Sequence, residues 1–306
     1  MPSPIALLTD FGLADPYVGQ MKGALLRHAP RALLVDVSHQ VPPCDILQAG
    51  FFLAASQAHF PQGTIFVAVV DPGVGSARRI VLAEAFGRFF LAPDNGLLTQ
   101  LLLNAPGAVV RDVTPAGSSA GGDSPDAGRV RQGVTVHGQD IPADGGQGVA
   151  ATVHGRDVFA PLAARLANGE APASLGDRVD PGSLVRLEQT QPVLAGDALT
   201  AAVLHVDRFG NCLLNLTIRA WTGRLAGCRA LRLGRPEHLE ESQTIEIQNS
   251  MPLRFVTTYE QLGSGDVGLL AGSQGYLELA LNQASAAAVL GLAPGGLVSI
   301  ILHGQA

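Results

Sequence analysis

The run Thr64–Val70 (TIFVAVV) is apolar after its first residue, rich in β-branched side chains, and stopped by an acid, Asp71. It is far short of the roughly 20 apolar residues that cross a membrane. It shows no alternation that would give one face to water. Such a run is a strand buried on both faces, which requires a sheet covered by helices on both sides. Ile5–Thr9 (IALLT) repeats the pattern and also stops at an acid, Asp10. Between the two, Tyr17–Arg27 has helical spacing, with Val18, Met21, Leu25 and Leu26 on one side. Ala32–Val37 is mostly apolar again, and Asp45 is placed to N-cap a helix over Ile46–His59. Arg79–Ala83 and Phe89–Ala92 suggest two strands joined by a turn near Gly87, and Leu97–Leu103 suggests a helix. This alternation predicts an α/β domain built on a parallel or mixed sheet.

The pattern breaks at Thr114–Gly148, which is rich in Gly, Ser, Asp and Gln and is read as a surface insertion or flexible loop, 114–148. It contains Val136-His137-Gly138-Gln139-Asp140, a near copy of Val153-His154-Gly155-Arg156-Asp157. Helical spacing resumes over Phe159–Leu166. The Gly-, Pro- and Asp-rich stretch Ala167–Pro192 is the candidate linker, giving an N-terminal α/β domain over 1–180. Beyond it the texture changes. Ala198–Val206, Cys212–Leu216, Ala230–Leu233, Thr244–Ile247, Gly268–Leu269, Tyr276–Ala280 and Leu297–Leu302 are short, closely spaced strand-like runs, interrupted by one helix near Ala284–Leu290. They predict a smaller, mostly antiparallel β domain over 181–306.

Composition excludes several classes. At 47% hydrophobic and 15% charged the chain is no disordered polymer. A net charge of −6 with no Lys/Arg cluster argues against nucleic acid as a partner. Cys44, Cys212 and Cys228 are odd in number and far apart, which argues against a disulfide framework and for a reducing compartment. The start, MPSPIALLTDFG, lacks a positive region and a long apolar one, so no secretory signal is expected and the cytoplasm is the expected location. The eight His residues have no metal-ligand spacing, and no metal site is expected. Gly263–Gly268 (GSGDVG) matches G-x-G-x-x-G literally, but it opens no helix and no acid follows at the distance a dinucleotide fingerprint needs.

Four polar segments at the ends of apolar runs are the candidates for chemistry. Asp10, in Thr9-Asp10-Phe11-Gly12, would lie beyond the carboxyl end of a sheet strand, where α/β folds bind ligands. Its carboxylate could accept two hydrogen bonds from a vicinal diol such as ribose, or it could simply cap the next helix. Asp71-Pro72-Gly73-Val74-Gly75-Ser76-Ala77-Arg78-Arg79 offers an acid facing guanidinium groups, either as a clamp on a small polar reactant or as a structural ion pair in a tight turn. His154-Gly155-Arg156-Asp157 offers an imidazole, with Asp157 a candidate N-cap. Asp207-Arg208-Phe209-Gly210-Asn211 brings an acid, a ring that can stack on a base and a carboxamide that matches adenine's edge. The same five residues also suit a hairpin turn with Gly at positive φ.

Taken in order, TDFG, DPGVGxxRR, APDNG (Ala92–Gly96), HGRDxFAP, VDxFGN and GSxGYLELAxN (Gly272–Asn282) closely resemble the S-adenosylmethionine hydrolase, or SAM hydroxide adenosyltransferase, family. These are relatives of the bacterial fluorinase and chlorinase. The resemblance runs over nearly the whole chain. It implies an N-terminal α/β domain, a C-terminal antiparallel β-barrel-like domain, and a homotrimer with active sites at subunit interfaces. It implies an Asp–Arg–His triad, matching Asp71, Arg78 and His154. His154 is preferred to His137 because only the later copy continues into FAP and a helix. It implies ribose binding by Asp10, and contacts to adenine and the methionine end by Asp207, Phe209, Asn211, Ser273, Tyr276 and Glu278. Gln274 stands beside Ser273 where the halogenases place an Arg. The halogenases carry Tyr in place of Asp71, so water rather than halide is the implied nucleophile.

The activity so implied is hydrolysis of S-adenosyl-L-methionine to adenosine and L-methionine by attack of water or hydroxide on C5′. The sulfonium leaves without protonation, so no metal or redox cofactor is called for. The competing readings are a halogenase, and a nucleoside-binding protein without turnover.

Overall fold

The computed structural model describes residues 3–115, 135–136, 139–140, 153–234 and 251–305. The chain divides into two compact units, Met1–Arg186 and Leu187–Ala306.

In the first unit, β1 (Ile5–Thr9), β2 (Leu34–Ser38), β3 (Ile65–Val69), β4 (Ile80–Ala85), β5 (Arg88–Pro93) and β6 (Val109–Asp112) belong to one sheet. A late strand, β9 (Asp177–Val179), completes it in the order β2-β1-β3-β5-β4-β6-β9. The four strands β2, β1, β3 and β5 run parallel, and β4, β6 and β9 continue the sheet antiparallel. Every residue of β1 and β3 is buried. Alternation along each strand divides the core by face. Ala6, Leu8, Phe66 and Ala68 pack with residues of α2 (Ile46–Ser56) and α3 (Thr99–Leu103). Ile5, Leu7, Ile65 and Val67 pack with residues of α1 (Tyr17–His28) and α4 (Ala160–Ala167). Each such side chain contributes roughly 1.5–3 kcal/mol on full burial, so a polar substitution in β1 or β3 would disrupt the layer that its side chain faces. Asp45 caps α2 by accepting from Gln48 N at 2.9 Å.

Two readings of the sequence need correction here. The stretch 167–192 is not simply a linker, because β9 pairs with β6 inside it. A Cβ on Gly176 would collide with Asp112 O at 1.8 Å, so a residue without a side chain is what lets the two segments meet. Asp157 is not an N-cap. It lies within a π-helical turn, Gly155–Phe159, that leads into α4, and it binds Arg156. In 114–148, Thr114 and Pro115 and two short paired strands, β7 (Thr135–Val136) and β8 (Gln139–Asp140), are described. The rest of that insertion, His137 included, and Thr244–Ile247 lie outside the described residues.

The second unit is a barrel. The strands β11 (Ala198–Val206), β12 (Cys212–Thr217), β13 (Cys228–Gly234), β14 (Met251–Phe255), β15 (Val267–Ala271), β16 (Tyr276–Ala280) and β17 (Leu297–Gln305) run in the order β11-β12-β16-β15-β14-β13-β17. Pairing of β11 with β17 closes the ring, and β10 (Val193–Ala195) adds a hairpin to β11. All neighbours are antiparallel except β14 with β15. Closure removes the sheet edges, and one apolar core that includes Leu199, Leu214, Leu269, Leu279 and Ile300 fills the interior. Helix α5 (Ile218–Ala226) follows β12, and α6 (Ala286–Leu290), capped by Ser285, precedes β17. GSGDVG is the turn entering β15 and leads to no helix.

Candidate active site

Thr9 lies opposite Val69 in the parallel pairing of β1 and β3. Asp10 and Asp71 therefore leave the sheet on the same carboxyl edge, where α/β sheets present ligand sites. After β3 the chain turns at once. Val74 N donates to Asp71 O at 3.1 Å, and Gly75 takes φ 82°. The turn brings Arg78 back onto Asp71. Its Nε donates to Asp71 Oδ1 at 2.7 Å and its Nη2 to Asp71 Oδ2. Both side chains are buried, 9% and 4% exposed. Arg78 Nη2 also lies 3.0 Å from His154 Nδ1. The three residues that the sequence placed far apart form one hydrogen-bonded cluster.

A guanidinium only donates, so His154 Nδ1 must accept, and the ring proton of the neutral imidazole is on Nε2. Burial and the adjacent Arg78 charge lower the His154 pKa from its ordinary 6.5, against the opposing pull of Asp71 and Asp157. His154 is thus a neutral Nε2–H donor near neutral pH. Arg78 Nη1 bonds no protein group among the described residues, which leaves its two N–H groups for a reactant.

Local packing explains the position of His154. It is 3% exposed, at the mouth of the π-helical turn. π-turns recur at functional sites because the extra residue re-aims side chains. A Cβ on Gly155 would sit 3.0 Å from the Phe11 ring, so Gly lets the TDFG loop pack closely beside His154 without displacing that ring. Asp10 accepts from Cys44 N at 2.9 Å through Oδ2, while Oδ1 accepts nothing among the described residues.

The APDNG segment buttresses this edge. Asn95 Nδ2 donates to Val70 O at 2.9 Å, fixing the peptide that precedes Asp71. Arg79, unlike Arg78, is turned away to Asp94 Oδ2 at 2.9 and 2.6 Å and to Ser183 O at 2.8 Å. Sequence reasoning missed these supporting roles. The only signal was the acid–amide–glycine string itself.

In the second unit, Asp207 organises its own turn. Its Oδ1 accepts from Phe209 N and Asn211 N, both at 2.9 Å, and its Oδ2 accepts from Asn211 Nδ2 at 3.0 Å. Gly210 has φ 86° and lies against Ser285, where a Cβ would collide at 2.1 Å. The hairpin reading of this segment is therefore correct, and the turn leaves Phe209 74% exposed. Glu278, on β16, is buried, and its pKa is raised by burial and by the Asp207 charge, against a hydrogen bond from Tyr259. Tyr259, which sequence reasoning missed, is itself pushed up to about 12 by burial and by Glu278. Tyr276 is buried and likewise pushed up to about 12. Ser273 is exposed in the turn between β15 and β16. The structure thus gathers Asp207, Asn211, Glu278 and Tyr259, while Phe209 and Ser273 face solvent within their unit. Among the described residues no three His, Cys, Asp or Glu side chains converge as a metal would need, and no helix is long and apolar enough to cross a membrane.

Family models match both units: the SAM hydroxide adenosyltransferase N-terminal domain over 5–176 and the C-terminal domain over 201–299. The chain belongs to the SAM hydroxide adenosyltransferase family. A member from Salinispora tropica named (R)-S-adenosyl-L-methionine hydrolase is 37% identical, over 96% of each chain. One of the same name from Thermus thermophilus is 35% identical, over 95% of this chain and 97% of its own. The crystal structure of an uncharacterized conserved protein from Thermotoga maritima superposes with TM-score 0.75 at 26% identity, covering 97% of this chain and 99% of that one.

Proposed function

We propose that the protein hydrolyses S-adenosyl-L-methionine to adenosine and L-methionine. The observation that carries this is the Asp71–Arg78–His154 cluster, which has one guanidinium nitrogen without a protein partner among the described residues and whose Asp71 leaves the same carboxyl edge of the sheet as Asp10. Membership of the SAM hydroxide adenosyltransferase family, and relatives named for the hydrolase, supply the substrate.

In this reading Asp10 accepts the ribose hydroxyls through its open Oδ1. Arg78 Nη1 and His154 Nε2–H hold the attacking water. Its proton passes to Asp71, the only member of the cluster that retains acceptor lone pairs. The oxygen bonds to C5′ as the C5′–S bond breaks, and the electron pair returns to sulfur, which leaves as a neutral thioether. Fixing water in line supplies roughly 7–11 kcal/mol of the barrier reduction available to well-oriented reactants. The sulfonium needs no acid, so the reaction calls for no metal or redox cofactor. A buried carboxylate at the nucleophile's position disfavours a halide anion there.

Asp207, Phe209, Asn211, Ser273, Tyr276 and Glu278 would meet adenine and the methionine end. The two residue sets lie in separate units, which fits a homotrimer with sites at subunit interfaces. Three cysteines without a pairing pattern support a cytoplasmic location.

The test is incubation with S-adenosyl-L-methionine, with and without chloride or fluoride, and chromatography of the products. Adenosine and methionine in equal amounts are expected. Absence of adenosine overturns the hydrolase reading, and a halogenated nucleoside would replace it.

A further inference from the structure

Behind Asp10 lies a polar chain that the reaction does not use. Thr9 is fully buried, and its Oγ1 lies 2.8 Å from Nδ1 of His39, which is 3% exposed. On the other side of the ring, Nε2 lies 3.1 Å from Asp36 Oδ1, a charge contact outside hydrogen-bond geometry. Asp36 in turn binds Lys22 on α1 at 2.7 Å. The ring and the hydroxyl share one hydrogen bond, in which either can donate according to the ring's tautomer. Thr9 Oγ1 keeps lone pairs and accepts from Phe11 N at 3.2 Å.

His39 also works through its backbone, because Gly12 N donates to His39 O at 2.7 Å. One residue therefore grips the Asp10 loop on both sides, at Thr9 and at Gly12. The loop that follows His39 returns to Asp10 at Cys44, whose N–H fixes Asp10 Oδ2 and whose φ of 65° is the strained, left-handed region for a non-glycine residue. Asp45, next in sequence, is pinned as the cap of α2.

We infer that His39 is a positioning residue: with Thr9 it clamps the Asp10 loop against the loop carrying Cys44, so that Asp10 Oδ1 is presented ready for a vicinal diol. This rests on the reading of Asp10 as the ribose-binding group. The clamp acts on nucleoside binding and leaves the water-activating cluster untouched.

The test uses the full-length protein, with adenosine affinity by calorimetry, kcat and KM for S-adenosyl-L-methionine, and thermal melts. Thr9→Val, which keeps shape and removes the hydroxyl, and His39→Leu should each weaken adenosine binding and raise KM about tenfold, the worth of one well-placed hydrogen bond. In both, kcat should stay within about twofold, since the loss falls on binding alone. His39→Gln, whose amide can still hydrogen-bond Thr9, should recover most of the affinity. The double variant should be no worse than either single one, because both break the same link. Folded Thr9→Val protein with wild-type affinity and KM overturns the inference, as does a fall in kcat with KM unchanged. Thr9→Val decides alone if His39→Leu does not fold. Asp10→Ala separates the two levels. If it too leaves adenosine affinity intact, the ribose role of Asp10 fails. If it weakens binding while Thr9→Val does not, only the clamp fails.

Discussion

Replacing Arg78 with Met tests the core of the site through stability as well as activity. The Arg78 side chain is 9% exposed and Asp71 4%, and they share two hydrogen bonds, with a third from Arg78 to His154. Removing one partner of a buried pair leaves an uncompensated charge and costs about 3–5 kcal/mol. For a unit of this size each kcal/mol shifts the melting temperature by about 2–4 °C, so a drop of roughly 6–20 °C is expected. The reverse variant, Asp71→Leu, strands the guanidinium and should cost a similar amount. The double variant Asp71→Leu/Arg78→Met has neither orphan charge and should recover most of both losses, since a buried pair replaced by apolar groups is often near neutral. Hydrolysis should be lost in all three. The chain's one tryptophan, Trp221, lies in α5 of the second unit, so its fluorescence serves as an internal control. Hydrogen exchange of the Ile65–Val69 amides reports on the first unit. If the two single losses simply add in the double variant, the charges are not a coupled buried pair and the geometry argued above is wrong.

Phe209→Ala should leave the melting temperature nearly unchanged, because the ring is 74% exposed. It should still weaken adenosine binding by about 1–3 kcal/mol, the worth of one stacked base, measured by calorimetry. His154 has a pKa below the ordinary 6.5, so below that pH the unfolded chain takes up a proton that the folded one resists. Stability should therefore fall as pH drops from 6.5 towards the lowered value, and melts of His154→Gln over the same range should lack that slope. Asn95→Asp removes the donor to the buried Val70 carbonyl, 2.9 Å away. It should cost about 1–3 kcal/mol in denaturant unfolding, with a lowered kcat because the peptide it frees leads into Asp71.

What was legible in the sequence follows from where burial alone decides. The runs Ile5–Thr9, Ala198–Val206 and Tyr276–Ala280 coincide with β1, β11 and β16, because each is an apolar stretch bounded by polar or turn residues. Elements held by neighbours were not legible. β14 carries Pro252 inside a paired strand, β9 lies in a Gly- and Pro-rich stretch and is held by its register with β6, and α5 follows β12 without a turn signal. The same division runs through the site. The sequence shows an acid at the end of a buried strand, since the strand's apolar run marks the spot. It does not show what holds that acid's loop. The partners there lie 25 residues away for Asn95 and Val70, 30 for His39 and Thr9, and 34 for Cys44 and Asp10. Sheet topology sets these separations: β1 sits between β2 and β3, so the loops leaving its neighbours must meet at its carboxyl end. A parallel sheet thus assembles its site from segments that share no local pattern. The reacting side chains of the first unit all arise at that one edge or from the turn packed on it. The supporting residues His39 and Asn95 are consequently where substitutions should alter the site without touching a group that meets the substrate.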